Sequence, residues 1–368
     1  MTRRIGESWT ENRIRTRGRR PFKNELEAAF IEITPGMKEE FNRLAKEIAE
    51  LRAEKAAREA EDRETVLAAS MKFSPLVIPA EDHKAGSPGY PMALWSDWHW
   101  GETVDIRETG GLNAFNRTIA EHRVSQLVRG TIHVLRRYAG AHPVFPGIWV
   151  LLGGDMVSGL IHEELVATNW GNIADQAFEC AAAITGGLLA LADEFGQVNV
   201  VGVVGNHGRT TRKPNAKGRS LDSYDRSIYL SIQRHLANDP RLTIVIPDDT
   251  DYLFEVYGHR FLLTHGDSLG VNGGDGIIGA LGPIARGAVK LRNSEGQVRR
   301  DFDTLVMGHW HQYIPRGDAL GAIVNGTLKG YDEYARIFLR ARFARPCQAL
   351  WIVSPKHGIA AQWAVNVD

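Results

Sequence analysis

Short apolar runs punctuate this chain from residue 92 onward, and five of them end on a polar cluster. The runs predict strands at 92–96, 148–152, 198–204, 242–246, 252–257, 260–264 and 304–307, and then at 322–325, 348–354 and 360–367. Apolar residues at helical spacing fill the gaps, through Ile119, Leu127, Val128, Val134, Leu135 and Tyr138 over 115–138, and again over 173–194, 222–238 and 277–291. Strands alternating with helices, followed by a strand-rich half, predict an α/β fold of two packed sheets with helices outside.

Ahead of this block the pattern changes. Residues 36–68 carry no internal Gly or Pro, and Phe41, Leu44, Ile48 and Leu51 form one helical stripe that fades at Lys55 and Arg58. The stripe suits a homodimer seam or docking on the body of the protein equally. The sequence divides into a basic arm at 1–35, a helical extension at 36–75, a linker at 76–91 marked by Pro79, Gly86, Pro88 and Gly89, and a main domain at 92–368. The arm holds Arg3, Arg4, Arg13, Arg15, Arg17, Arg19, Arg20 and Lys23 against Glu7 and Glu11, which suits a solvated tail or a nucleic-acid contact.

Composition adds limits. The chain has 368 residues, 43% hydrophobic and 24% charged, enough for a sizeable core, and its formal net charge of zero says nothing about an anionic partner. Cys180 and Cys347 have no CxxC neighbour, which argues against a disulfide framework or thiolate zinc site. No apolar stretch approaches the ~18 residues of a membrane span. The arginine-rich start has no secretory core. A cytoplasmic protein without membrane partners is expected.

The clusters carry the chemistry. They are Asp97-Trp98-His99, Gly153-Gly154-Asp155, Gly205-Asn206-His207, His265-Gly266-Asp267 and Gly308-His309-Trp310-His311. In extended backbone, residues i and i+2 point to the same side, so Asp97 with His99, and His309 with His311, can each reach one cation. Asp155, Asn206 and His265 add carboxylate, amide oxygen and imidazole. Such nitrogen and oxygen donors suit Mn, Fe, Zn, Co or Ni better than Ca or Mg. All five lie past strand carboxyl ends, where open α/β sheets bind ligands. The isolated His122, His133, His142, His162, His235, His259 and His357 match no motif and are expected on the surface or in the core.

The order D-x-H, G-D, G-N-H, H-G, G-H-x-H, spanning about 92–311, resembles the calcineurin-like metallophosphoesterases. Its overall look resembles phage or prophage members of DNA-repair-exonuclease type. The resemblance implies a four-layer α-β-β-α sandwich of two mixed sheets and a pair of divalent metal ions, manganese first among them. By resemblance Asp97, His99, Asp155 and His311 hold one ion, and Asp155, Asn206, His265 and His309 the other. A metal-bridging hydroxide would attack a phosphoester, and His207 would face the substrate. One position departs from the family. Gly208 follows His207 where an Asp or Glu usually stands, leaving the imidazole without its customary acidic partner.

Beyond the clusters, Arg209, Arg212, Lys213, Lys217 and Arg219 make a basic loop after His207, with Arg209 placed to assist catalysis and Arg212 and Lys213 to meet phosphates. Trp98, Trp100 and Trp310 suit base stacking or walling of the site. The glycine-rich stretch 266–287 suits a lid or a turn into a helix. The expected activity is a nuclease acting on DNA. The alternatives are a phosphatase or small-molecule or cyclic-nucleotide phosphodiesterase, and a metal-stabilised binding module without catalysis.

Overall fold

The computed structural model describes residues 35–70, 89–138, 145–269, 280–318 and 320–368. Nearly all of the basic arm, most of the 76–91 linker and residues 270–279 of the glycine-rich stretch lie outside them. The chain divides into two units, Met1–Glu81 and Asp82–Asp368. In the first, α1 (Pro35–Ser70) is a single helix. Leu44, Ile48 and Leu51 of its stripe are exposed, and Arg58 pairs with Glu54 one turn away at 2.8 Å.

The second unit begins with β1 (Tyr90–Trp95), two residues before the apolar run, because Tyr90 and Pro91 also pair with the antiparallel neighbour. There follow α2 (Arg117–Tyr138), β2 (Ile148–Leu152), α3 (Glu163–Thr168), α4 (Ile173–Phe195), β3 (Val198–Gly202), α5 (Tyr224–His235) and β4 (Leu242–Val245). Next come β5 (Tyr252–Val256), β6 (His259–Leu263), α6 (Leu281–Gln297), β7 (Thr304–Met307) and β8 (Ala322–Val324). The unit closes with α7 (Glu333–Ile337), β9 (Cys347–Ser354) and β10 (Gly358–Asn366). The short α3 and α7 were not predicted, since neither buries a residue and so neither carries an apolar period.

Two mixed sheets result, in the strand orders β10-β9-β1-β2-β3-β4 and β5-β6-β7-β8. In the first, β1 to β4 run parallel, and in the second β6 to β8 do. Period-two alternation sorts their side chains between layers. Met92 and Leu94 of β1, Leu151 of β2 and Val201 of β3 meet Phe261, Leu263, Val306 and Ile323 between the sheets. Their neighbours Ala93, Trp95, Val150, Leu152, Val198 and Val200 face outward onto α2, α4 and α5. On the far side, Leu262, Leu305, Met307 and Val324 pack against Ile284 and Ala288 of α6. The fold is an α-β-β-α sandwich, as expected. No helix among the described residues is long and apolar enough to cross a membrane.

Candidate metal centre

The carboxyl ends of β1, β2 and β3 in one sheet and of β6 and β7 in the other deliver the five clusters to one place. Backbone bonds lock them together. Asp97 N–H donates to Gly154 O at 3.0 Å, His99 N–H to Asp155 O at 3.1 Å, and Gly308 N–H to His265 O at 3.0 Å. Side chains then cross between the sheets: His309 N–H donates to Asp97 Oδ1 at 2.9 Å, and His265 Nδ1 to Gly153 O at 2.8 Å.

Asp97, His99, Asp155, His309 and His311 all have left-handed backbone, with φ of 55°, 49°, 53°, 67° and 53°. This conformation is uncommon for residues with a Cβ and is held only where surroundings over-determine it. Gly205 is needed for a different reason: a Cβ there would meet Asp155 Oδ1 at 2.1 Å.

Three overlapping groups bring ligand atoms within 4.8 Å of one another: Asp97 with His99 and His311, His99 with Asp155 and His207, and Asp155 with His265 and His309. Buried His/Asp clusters of this kind suit metal ions. Asp97, His99, Asp155 and His265 are buried, while Asn206, His207, His309 and His311 are half-buried and open the group to solvent on one side. His99 Nε2 and His311 Nε2 face each other at 3.0 Å. Asn206 Oδ1 lies 3.2 Å from His265 Nε2, which is 3.0 Å from Asp155 Oδ2.

The His265–Asp155 pair sets the protonation pattern of the centre. Burial opposes charge on His265, yet the Asp155 carboxylate outweighs it and pushes the imidazole up to about 10. Burial opposes the Asp155 charge too, but His265 leads the groups that hold its pKa well below the ordinary value. Burial alone dominates at His309, pushed down to about 4. A ligand imidazole must release its proton, so divalent-cation binding at pH 8 should liberate about one proton per chain. An indicator dye in weak buffer would measure this. Bound metal without proton release would remove His265 from the ligand set.

His207 is held differently from the expected carboxylate arrangement. Its Nδ1 donates to Ser158 O at 2.8 Å, its N–H donates to Asp155 Oδ1 at 2.7 Å, and burial pushes the imidazole down to about 4. Gly208 is explained by Asp225. A Cβ on Gly208 would meet Asp225 Cγ at 2.7 Å. The Asp225 carboxylate accepts from Asp155 N–H at 3.0 Å, Gly205 N–H at 2.9 Å and Met156 N–H at 3.0 Å, so it ties two of the site loops together. Burial, and then the Asp155 charge, push Asp225 up to about 6.

The tryptophans need correction. Trp98 is fully buried in the core between helices and sheet, and Trp100 joins it there. The left-handed backbone at Asp97 and His99 carries those two side chains to the site, while Trp98 between them packs into the core. Trp310 is half-buried beside the α6 core. Arg209 donates from Nε to Thr211 O at 2.9 Å and from Nη2 to Arg212 O at 2.8 Å, which shapes the basic loop. Arg212 pairs with Glu163 at 2.5 Å, and Lys213 is exposed. His162, expected as a bystander, stands with its ring centroid 5.4 Å from that of His207.

Sequence reasoning missed the residues that support the ligands. Ser96 Oγ donates to Asp97 Oδ2 at 2.5 Å, and Asn325 Nδ2 donates to Ser96 Oγ at 2.8 Å. Gln348 brackets the Ser96 backbone, accepting its N–H at 2.9 Å and donating to its O at 3.1 Å. These partners come from distant positions just past β1, just past β8 and on β9, and no local motif announces them. Neither a family model nor a curated protein matches the chain, so its function has to be read from this geometry.

Proposed function

We propose that this chain is a calcineurin-like metallophosphoesterase that uses two divalent cations to hydrolyse phosphodiester bonds, with DNA as its substrate. The observation that carries the reading is the overlap of the clusters, in which His99 and Asp155 each belong to two. In this reading Asp97, His99, Asp155 and His311 hold one cation, and Asp155, Asn206, His265 and His309 hold the other. Manganese leads for this donor set, with Fe, Zn, Co and Ni as alternatives. When bound, such a pair supplies Lewis acidity and lowers the pKa of water.

His207 acts on the substrate. Its Nδ1–H is committed to Ser158 O, so Nε2 is the nitrogen free to meet the ester. The neutral ring accepts there, and a phosphate oxygen beside it favours the imidazolium. The ring thus takes a proton from solvent as the anionic substrate binds and passes it to the leaving oxygen. Support for an anionic substrate comes from Arg209, Lys217 and Arg219, which line a small pocket of about 30 Å³ together with Asn206. Arg219 ties the basic loop to the residue beyond His265-Gly266 through Asp267, at 2.6 and 2.7 Å.

The test is metal-dependent cleavage of labelled single- and double-stranded DNA beside a panel of small phosphoesters. Cleavage is expected with manganese, and His207→Ala should keep both metals while losing ~10²–10⁴ in kcat. Turnover of phosphomonoesters without DNA cleavage would make the chain a phosphatase. Metal-loaded protein inert on every ester would make it a binding module.

A further inference from the structure

We propose that Glu102 is a positioning residue for the metal centre: its carboxylate accepts the Nδ1–H of His99 and so fixes Nε2 as the ligand nitrogen, while Lys329 holds Glu102 in place. The proposal rests on the metal-binding reading above.

Three observations carry it. His99 Nδ1 and Glu102 Oε2 are both buried, stand 3.5 Å apart and have no hydrogen-bond partner. Two orphaned buried polar atoms this close, one a donor and one an acceptor, are stabilised by joining. A small rotation of the ring closes the bond. Second, His99 Nε2 points at His311 Nε2, 3.0 Å away. Two imidazole nitrogens share a cation only if both present lone pairs, which places the His99 proton on Nδ1. Third, the far side of Glu102 is fixed. Lys329 Nζ lies 2.7 Å from Glu102 Oε1 and 2.6 Å from Asp332 Oδ2.

The clamp is anchored at both ends. Glu102 N–H donates to His99 O at 3.0 Å, so the two side chains leave the same turn. Lys329 is held through its backbone: its O accepts from Arg123 Nη1 at 2.6 Å and from Asn113 Nδ2 at 2.9 Å. Glu102 and Lys329 are 2% and 4% exposed, so water does not substitute for either. Asp332 already gives Lys329 a counter-charge, which leaves Glu102 an oxygen to spare for the histidine. Carboxylates behind a metal-bound imidazole fix its tautomer and raise its basicity.

The experiment is chelator competition for manganese or cobalt on the full-length wild type, Glu102→Gln and Glu102→Asp. The aspartate variant keeps a charge for Lys329 and withdraws it from His99. Both variants should bind one of two ions ~10–100-fold more weakly and leave the other unchanged. The cobalt absorption spectrum should shift with the weakened site. Melting of the metal-free proteins separates this from a structural role. If both variants only melt earlier, and bind both ions with wild-type affinity when folded, the proposal is overturned. Wild type that binds no divalent ion would instead overturn the metal reading on which it stands.

Discussion

Asp155→Ala is expected to empty the centre of both metals and to lower metal-dependent turnover by on the order of 10⁴-fold, equivalent to several kcal/mol of lost charge stabilisation. Asp155 is the carboxylate common to two of the three clusters, and in the proposed assignment it is the ligand shared by both ions. Its oxygens have separate duties. Oδ1 takes His207 N–H at 2.7 Å, and Oδ2 faces His265 Nε2 at 3.0 Å. Removing them frees the His207 backbone and deprives His265 of the charge that raises its pKa. Burial then leaves that imidazole neutral, with nothing to balance a cation. Metal analysis of the purified variant beside its kcat checks the outcome. Two metals per chain with wild-type turnover would show the shared-ligand assignment to be wrong.

The second large effect belongs to a residue that touches no candidate metal. Asp225→Ala should cost about 3–6 kcal/mol, because it strands three buried backbone N–H groups at about 1–3 kcal/mol each, with some relaxation. These donors belong to Asp155, Met156 and Gly205, so the loops after β2 and β3 lose their tie and metal affinity falls with stability. Asp225→Asn is milder, since it keeps one oxygen but turns an NH₂ toward a donor. A reciprocal test follows from Gly208. Gly208→Asp alone is destabilising, because its Cβ would meet the Asp225 carboxylate at 2.7–2.8 Å. Combined with Asp225→Ala, the new carboxylate gains the vacated space beside the same donors. Denaturant unfolding of the four proteins should give a double-mutant cycle with favourable coupling. Simple additivity would show that Asp225 does not stand in for the acid that the metallophosphoesterase resemblance leads one to expect at position 208.

The layers were legible because alternation in each strand had to serve two different packing faces. Met92 and Leu94 against Ala93 and Trp95 make that choice locally, and β2, β3, β4 and β9 repeat it. The meeting of the His/Asp clusters was also legible, since each sits just past an apolar run. The supporting residues were not. Glu102 and Lys329 are 227 residues apart, Asp155 and Asp225 are 70 apart, and Ser96 and Gln348 are 252 apart. Such pairs exist only after the two sheets have formed. Trp98 shows a different failure. Its chemistry suggested a base platform, but the backbone turns that aim Asp97 and His99 at the site leave Trp98 buried in the core.

Left-handed backbone at Asp97, His99, Asp155, His309 and His311 has a consequence for how this protein tolerates change. At roughly 1–2 kcal/mol per residue, the five together rival the whole net stability of an ordinary domain, about 5–15 kcal/mol. The rest of the sandwich must therefore be over-stabilised to carry them. Selection for heat resistance alone would erode these positions first, yielding sturdier proteins that do nothing.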